Sequence, residues 1–115
     1  MSRLTTHILD MSHGAPAAGV SVRLFSVDGE RRLVASKQTN DDGRTDTPLL
    51  NGDEMRTGSY ELEFDIGAYF AARETDVANP PFFDTVVIRF NLHAGEHYHV
   101  PLLASPWAYS TYRGS

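Results

Sequence analysis

Two histidines separated by one residue, His97 and His99, are the first place where this chain could do chemistry. Alternation in an extended segment puts both on one strand face. Such a pair could share a cation, but metal sites normally take three or four ligands. No cysteine is present, and no carboxylate stands at ligand spacing to complete a set. The simpler reading leaves one imidazole exposed at the strand edge and the other hydrogen-bonded. A third histidine, His7, falls on the outward face of its own strand, beside Leu9, as His99 does beside Leu103. Histidine titrates near neutral pH and can act as base or acid. Arg44 follows an Asp-Gly turn directly and could hold an anion or a developing oxyanion. His13 reads as a solvated loop residue, and His93 sits near a strand end without a special role. No Gly-rich phosphate loop and no Gly-x-Ser-x-Gly elbow occurs, so Ser105 and Ser110 lack the setting of a nucleophile.

These residues must be positioned by strands. Leu4, Thr6 and Ile8 alternate with Thr5, His7 and Leu9, which predicts a strand with the even positions inward. Asp10 to Gly14, with Pro16 beyond, reads as a loop. Val20, Val22 and Leu24 predict a second strand. Asp28-Gly29 predicts a hairpin into a return strand over about 32–39. Asn40-Asp41-Asp42-Gly43 and Asn51-Gly52 are further turns. Tyr60, Leu62 and Phe64 alternate with Glu61 and Glu63, whose carboxylates are expected to face water. A short helix is expected within 65–74, with Asp65 as its cap and Asn79-Pro80-Pro81 closing the region. Val86, Ile88, Phe90 and Leu92 form another strand, and Ala94-Gly95-Glu96 is expected to turn it back as a local hairpin onto the His97 strand. Tyr98, Val100 and Leu102 face the core there; His97, His99, Pro101 and Leu103 face away. Ser105-Pro106 breaks that strand, and a last aromatic and hydroxyl-rich strand follows. Seven or eight short strands and one helix make an all-β antiparallel sandwich, a single domain over residues 1–115.

The outer face that carries His7, His99, Pro101, Leu103, Ser110 and Tyr112 either meets water or is half covered by a neighbouring subunit, with a pocket at the seam. Composition narrows the classes. A net charge of −5 argues against a nucleic-acid binder. With no cysteine, disulfide and thiolate chemistry fall away and no oxidising compartment is needed. No segment reaches the ~20 apolar residues of a membrane span. Neither a signal-peptide run at the N-terminus nor a Ser-Lys-Leu ending is seen, which makes a cytoplasmic protein the expectation.

The tail His97-Tyr98-His99-Val100-Pro101-Leu102-Leu103, with Ser105-Pro106 and the terminal Tyr112-Arg113-Gly114-Ser115, resembles that of the 5-hydroxyisourate hydrolases, the transthyretin-like enzymes of urate breakdown. So do Leu4-Thr5-Thr6-His7-Ile8-Leu9-Asp10, Gly14-x-Pro16-Ala17 and Asp42-Gly43-Arg44-Thr45. The resemblance runs in order along the whole chain. It implies a transthyretin-like sandwich of two four-stranded sheets with one short helix. It also implies a homotetramer with active sites at the dimer–dimer interface. The implied catalytic residues are His7, Arg44 and His99; Ser110, Tyr112, Arg113, Gly114 and Ser115 join them in holding substrate. The implied reaction opens the six-membered ring of 5-hydroxyisourate to 2-oxo-4-hydroxy-4-carboxy-5-ureidoimidazoline, with no metal or organic cofactor. The rival reading is a non-catalytic small-ligand carrier of the transthyretin type, which shares the fold but lacks this constellation. A third is a structural sandwich with an incidental metal site at His97 and His99.

Overall fold

A computed structural model describes residues 2–73 and 78–114. The strands are β1 (Arg3–Thr5), β2 (Ile8–Asp10), β3 (Ala15–Pro16), β4 (Ser21–Ser26), β5 (Arg32–Gln38), β6 (Leu50–Asn51), β7 (Gly58–Phe64), β8 (Val86–Leu92), β9 (Tyr98–His99), β10 (Leu102–Ala104) and β11 (Tyr109–Thr111); the helix α1 spans Ile66–Arg73.

One layer is the antiparallel sheet β5-β4-β7-β8. Its alternating residues Val22, Leu24, Leu62 and Phe64 are completely buried. The facing layer consists of two sheets, β6-β1-β9 and β11-β10-β2-β3. These share two chain runs, 3–10 and 98–104. Backbone bonds from Val100 N–H to the Thr5 carbonyl and from Leu102 N–H to the His7 carbonyl, both 2.9 Å, carry the ladder across the break. Pro101 has no amide to give, which is why the ladder interrupts there. Leu4, Ile8, Tyr98, Val100 and Leu102 point inward from this layer and complete one core. The all-β, two-layer expectation with one short helix holds; the second layer, however, is divided into a three-stranded and a four-stranded sheet.

Several local expectations change. The 86–92 strand does not fold back on the His97 strand. β8 pairs with β7, while β9 lies parallel to β1 in the register Leu4↔Tyr98 and Thr5↔His99. β2 and β10 are also parallel. The 93–97 segment therefore crosses between layers, and Tyr98 and Val100 are buried where β9 meets the N-terminal run. Pro101, expected on the open face, is buried. The 10–16 loop ends in β3, a two-residue edge strand against β2, where a proline is tolerated. Glu61 and Glu63 are held by Arg23 and Arg31 instead of standing free in water. Asp65 precedes α1, but its carboxylate takes a bidentate bond from Arg23 at 2.7 and 2.9 Å. Of the expected helix span, Glu74 lies outside the described residues.

Candidate active site

The 40–46 turn is tied together by one side chain. Asn40 Oδ1 accepts from the amides of Asp42 at 2.9 Å and Arg44 at 3.2 Å, and its Nδ2 donates to Asp46 at 2.9 Å. Its backbone N–H reaches the Arg44 carbonyl at 2.7 Å. Gly43 sits at φ +76°, the left-handed region, and a Cβ there would overlap the carbonyl oxygen of Ile8. That close approach lets the Gly43 carbonyl take the Ile8 amide at 2.8 Å and sets Arg44 opposite His7 in an isolated β-bridge. Among the described residues, the Arg44 guanidinium has no carboxylate within ion-pair distance.

His7 Nε2 lies 2.9 Å from the backbone oxygen of Asp42. A carbonyl can only accept, so Nε2 carries the proton and the lone pair of the neutral ring stays on Nδ1. His99 sits across from Thr5 in the β1–β9 register, and its Nδ1 is 2.8 Å from Thr5 Oγ1. Desolvation by burial lowers the pKa of both rings below the ordinary histidine value, and the Arg44 charge lowers them further. The Asp42 carbonyl opposes the shift at His7. His7 and His97 add to it at His99. Both rings are thus held neutral at pH 7, ready to accept a proton.

Arg44, His97 and His99 line an open cleft of about 520 Å³ together with Arg3, Thr5 and Asp46. His7 is not part of its lining but is close enough to His99 to act on its charge. Gly114 lies against His99. Gly114 N–H donates to the His99 carbonyl at 2.6 Å, and a Cβ on Gly114 would stand 3.0 Å from Cδ2 of the His99 ring. Arg113 is committed elsewhere: it donates to Glu96 at 3.2 Å and to the His97 carbonyl at 3.0 Å, and lies 4.0 Å over the Tyr98 ring. Tyr112, Arg113 and Gly114 line a neighbouring hollow that shares His97 with the cleft. Ser110 pairs with Leu103 across β10–β11 and is exposed, bordering neither space. Ser115 lies outside the described residues. Among the described residues, no three of His, Asp and Glu group closely enough to hold a metal ion.

Thr5, Asn40 and Arg3 were not singled out by the sequence. Alternation places Thr5 on the same outward face as His7, so that signal was present. Asn40 at the head of a turn is a common Asx arrangement, and nothing local marks it as the brace of a cleft.

A family model described as HIUase/Transthyretin family matches residues 4–114. The chain belongs to the HIUase/transthyretin family. A family member from Pseudomonas aeruginosa, named 5-hydroxyisourate hydrolase, is 50% identical over 100% of this chain and 93% of its own length. One from Mesorhizobium japonicum with the same name is 52% identical, over 98% of this chain and 92% of its own. The solved 5-hydroxyisourate hydrolase of Klebsiella pneumoniae superposes with a TM-score of 0.82 at 38% identity over the full length of both chains. The crystal structure of (S)-allantoin synthase gives 0.93 at 44% identity, with this chain spanning 44% of that longer one. Sea bream transthyretin in complex with thyroxine gives 0.86 at 28% identity, covering 97% and 94%. These relatives include hydrolases and a thyroxine-bound transthyretin on one fold, and the sequence identity is greater to those named 5-hydroxyisourate hydrolase.

Proposed function

We propose that this chain is a 5-hydroxyisourate hydrolase, an enzyme of urate degradation. The observation that carries the reading is the convergence of Thr5, Arg44, His97 and His99 on one cleft with His7 close beside it: a guanidinium without a carboxylate partner among the described residues stands next to His99, and the pKa values of His7 and His99 are both lowered. Hydrolysis of a cyclic amide adds one water. A base removes a proton as the oxygen attacks the ring carbonyl carbon, an oxyanion forms and must be stabilised, and the C–N bond breaks as the nitrogen takes a proton. The His7–His99 pair handles the water and these protons, and Arg44 binds the anionic ring or the oxyanion. Tyr112, Arg113 and Gly114 shape the pocket wall, and Ser110 contributes from a second copy.

The cleft is open to one side in a single chain, which suits a homotetramer whose active sites lie at the interface between dimers. The working site is then in the cytoplasm, where its substrate is a small molecule and no cofactor is required. Analytical ultracentrifugation checks the assembly, and a monomer with full turnover would remove the intersubunit part of the account.

The direct test generates 5-hydroxyisourate from urate with urate oxidase and follows its ultraviolet absorbance after addition of this protein. Accelerated decay, unaffected by a chelator, is expected. Decay at the spontaneous rate would defeat the proposal and favour a carrier, the reading that the likeness to a thyroxine-bound transthyretin keeps in view.

A further inference from the structure

The His99 ring is held at two places that leave little choice of orientation. Thr5 Oγ1 stands 2.8 Å from Nδ1, and the Gly114 backbone lies so close that a Cβ there would stand 3.0 Å from Cδ2. Nε2 is the nitrogen left for the cleft. Thr5 and His99 are register partners in a parallel pair, 94 residues apart in sequence, so the contact belongs to the fold and not to a local turn. Both are partly buried. Among the described residues, the Thr5 hydroxyl makes no other side-chain hydrogen bond.

We propose that Thr5 is a positioning residue for the reaction: its hydroxyl holds Nδ1 of His99 so that Nε2 alone is presented to substrate and water. The inference rests on the hydrolase reading above. A threonine is suited to this task because its β-branched side chain has few rotamers and favours a strand, so the hydroxyl is aimed before substrate arrives. The imidazolium form has two N–H donors, and an acceptor on Nδ1 stabilises it. The other charged or titratable groups acting on His99 are Arg44, His7 and His97, all of which oppose its protonation.

The test compares Thr5→Val, which keeps shape and strand preference, with Thr5→Ser, which keeps the hydroxyl. Thr5→Val is expected to lower kcat by about 10–100-fold with KM changed less than about threefold, since a small misplacement of a catalytic group has effects of this size. Thr5→Ser should recover most of that loss. NMR of the ring nitrogens supplies a readout independent of turnover. In Thr5→Val the His99 pKa should fall by roughly half to one unit, because a hydrogen bond to the charged form is stronger than one to the neutral form. A Thr5→Val protein with wild-type kcat, or with the His99 nitrogen signals and pKa unchanged, overturns the proposal. If wild type itself fails to hydrolyse 5-hydroxyisourate while the ring signals shift as expected, the hydrolase reading has failed and the positioning contact stands.

Discussion

At the scale of single residues, the candidate site depends on imidazoles that remain uncharged near pH 7. Positioned acid–base groups contribute about 10²–10⁴-fold, so His7→Ala and His99→Ala are each expected to lose at least 100-fold in kcat while circular dichroism stays unchanged. Turnover close to wild type in either variant would contradict the assignment. The pH profile follows from the same environment. Burial, then Arg44, lowers both histidines below 6.5, so the basic form persists to a lower pH than in a free imidazole. The rate should rise through an apparent pKa below 6.5 and stay flat above pH 7. Arg44→Gln removes a positive charge that opposes protonation, and NMR titration should find the pKa values of His7 and His99 raised. A further fall would show that Arg44 does not act on these rings.

At the scale of elements, the turn over 40–46 is as important as the strands. It delivers Arg44 by its bridge to His7 and presents the Asp42 carbonyl that fixes the His7 proton on Nε2. Gly43→Ala meets both the left-handed backbone and the Ile8 carbonyl, so it should destabilise the protein by about 1–3 kcal/mol and reduce kcat more than its loss of stability explains. Urea denaturation beside single-turnover kinetics checks the pair of effects. The start of the 10–14 loop is fixed by Asp10, a carboxylate 1% exposed. It accepts from the amides of Ser12 and His13, from His13 Nδ1 at 2.6 Å and from the Tyr69 hydroxyl at 2.8 Å, which ties the loop to α1. Asp10→Asn turns one acceptor oxygen into a donor among donors, and a loss of about 2–3 kcal/mol is expected by the same denaturation measurement.

At the scale of the whole molecule, the two carboxylates and two histidines with lowered pKa values all favour the fold less as the pH drops. Arg23 holds the Asp65 carboxyl below its usual range. Burial pushes the Asp10 carboxyl up, but the bonds from Tyr69 and His13 together outweigh it and leave the value lowered. The stability these two carboxylates contribute is present above 3.8 and is lost as pH falls through their lower folded values. His7 and His99 act in a higher window. Their folded pKa values lie below 6.5, so the unfolded chain takes protons first, and stability falls from about pH 6.5 until the folded rings also protonate. Calorimetry should find Tm declining in two stages from pH 7 to pH 3. A maximum near pH 5 would mean that other groups dominate.

Alternation alone was enough for most of the architecture. Val22, Leu24, Leu62 and Phe64 went inward as read, because in a strand successive side chains must take opposite faces. The outward placement of His7 and His99, and the turns at Asp28-Gly29 and Asp42-Gly43, follow from the same local rules. Pairing did not. Whether the strand after Gly95 returns to β8 or crosses to β1 depends on which partner covers Tyr98 and Val100, and that is a property of the assembled core. The contact of Thr5 with His99, the commitment of Arg113 to Glu96 and the Tyr98 ring, and the bond from Gly114 to the His99 carbonyl join residues far apart in the chain or separated by several turns. A short-range pattern carries no information about such distances. Only the packed sandwich brings the guanidinium of Arg44 and the imidazoles of His97 and His99 into one space, with His7 beside it.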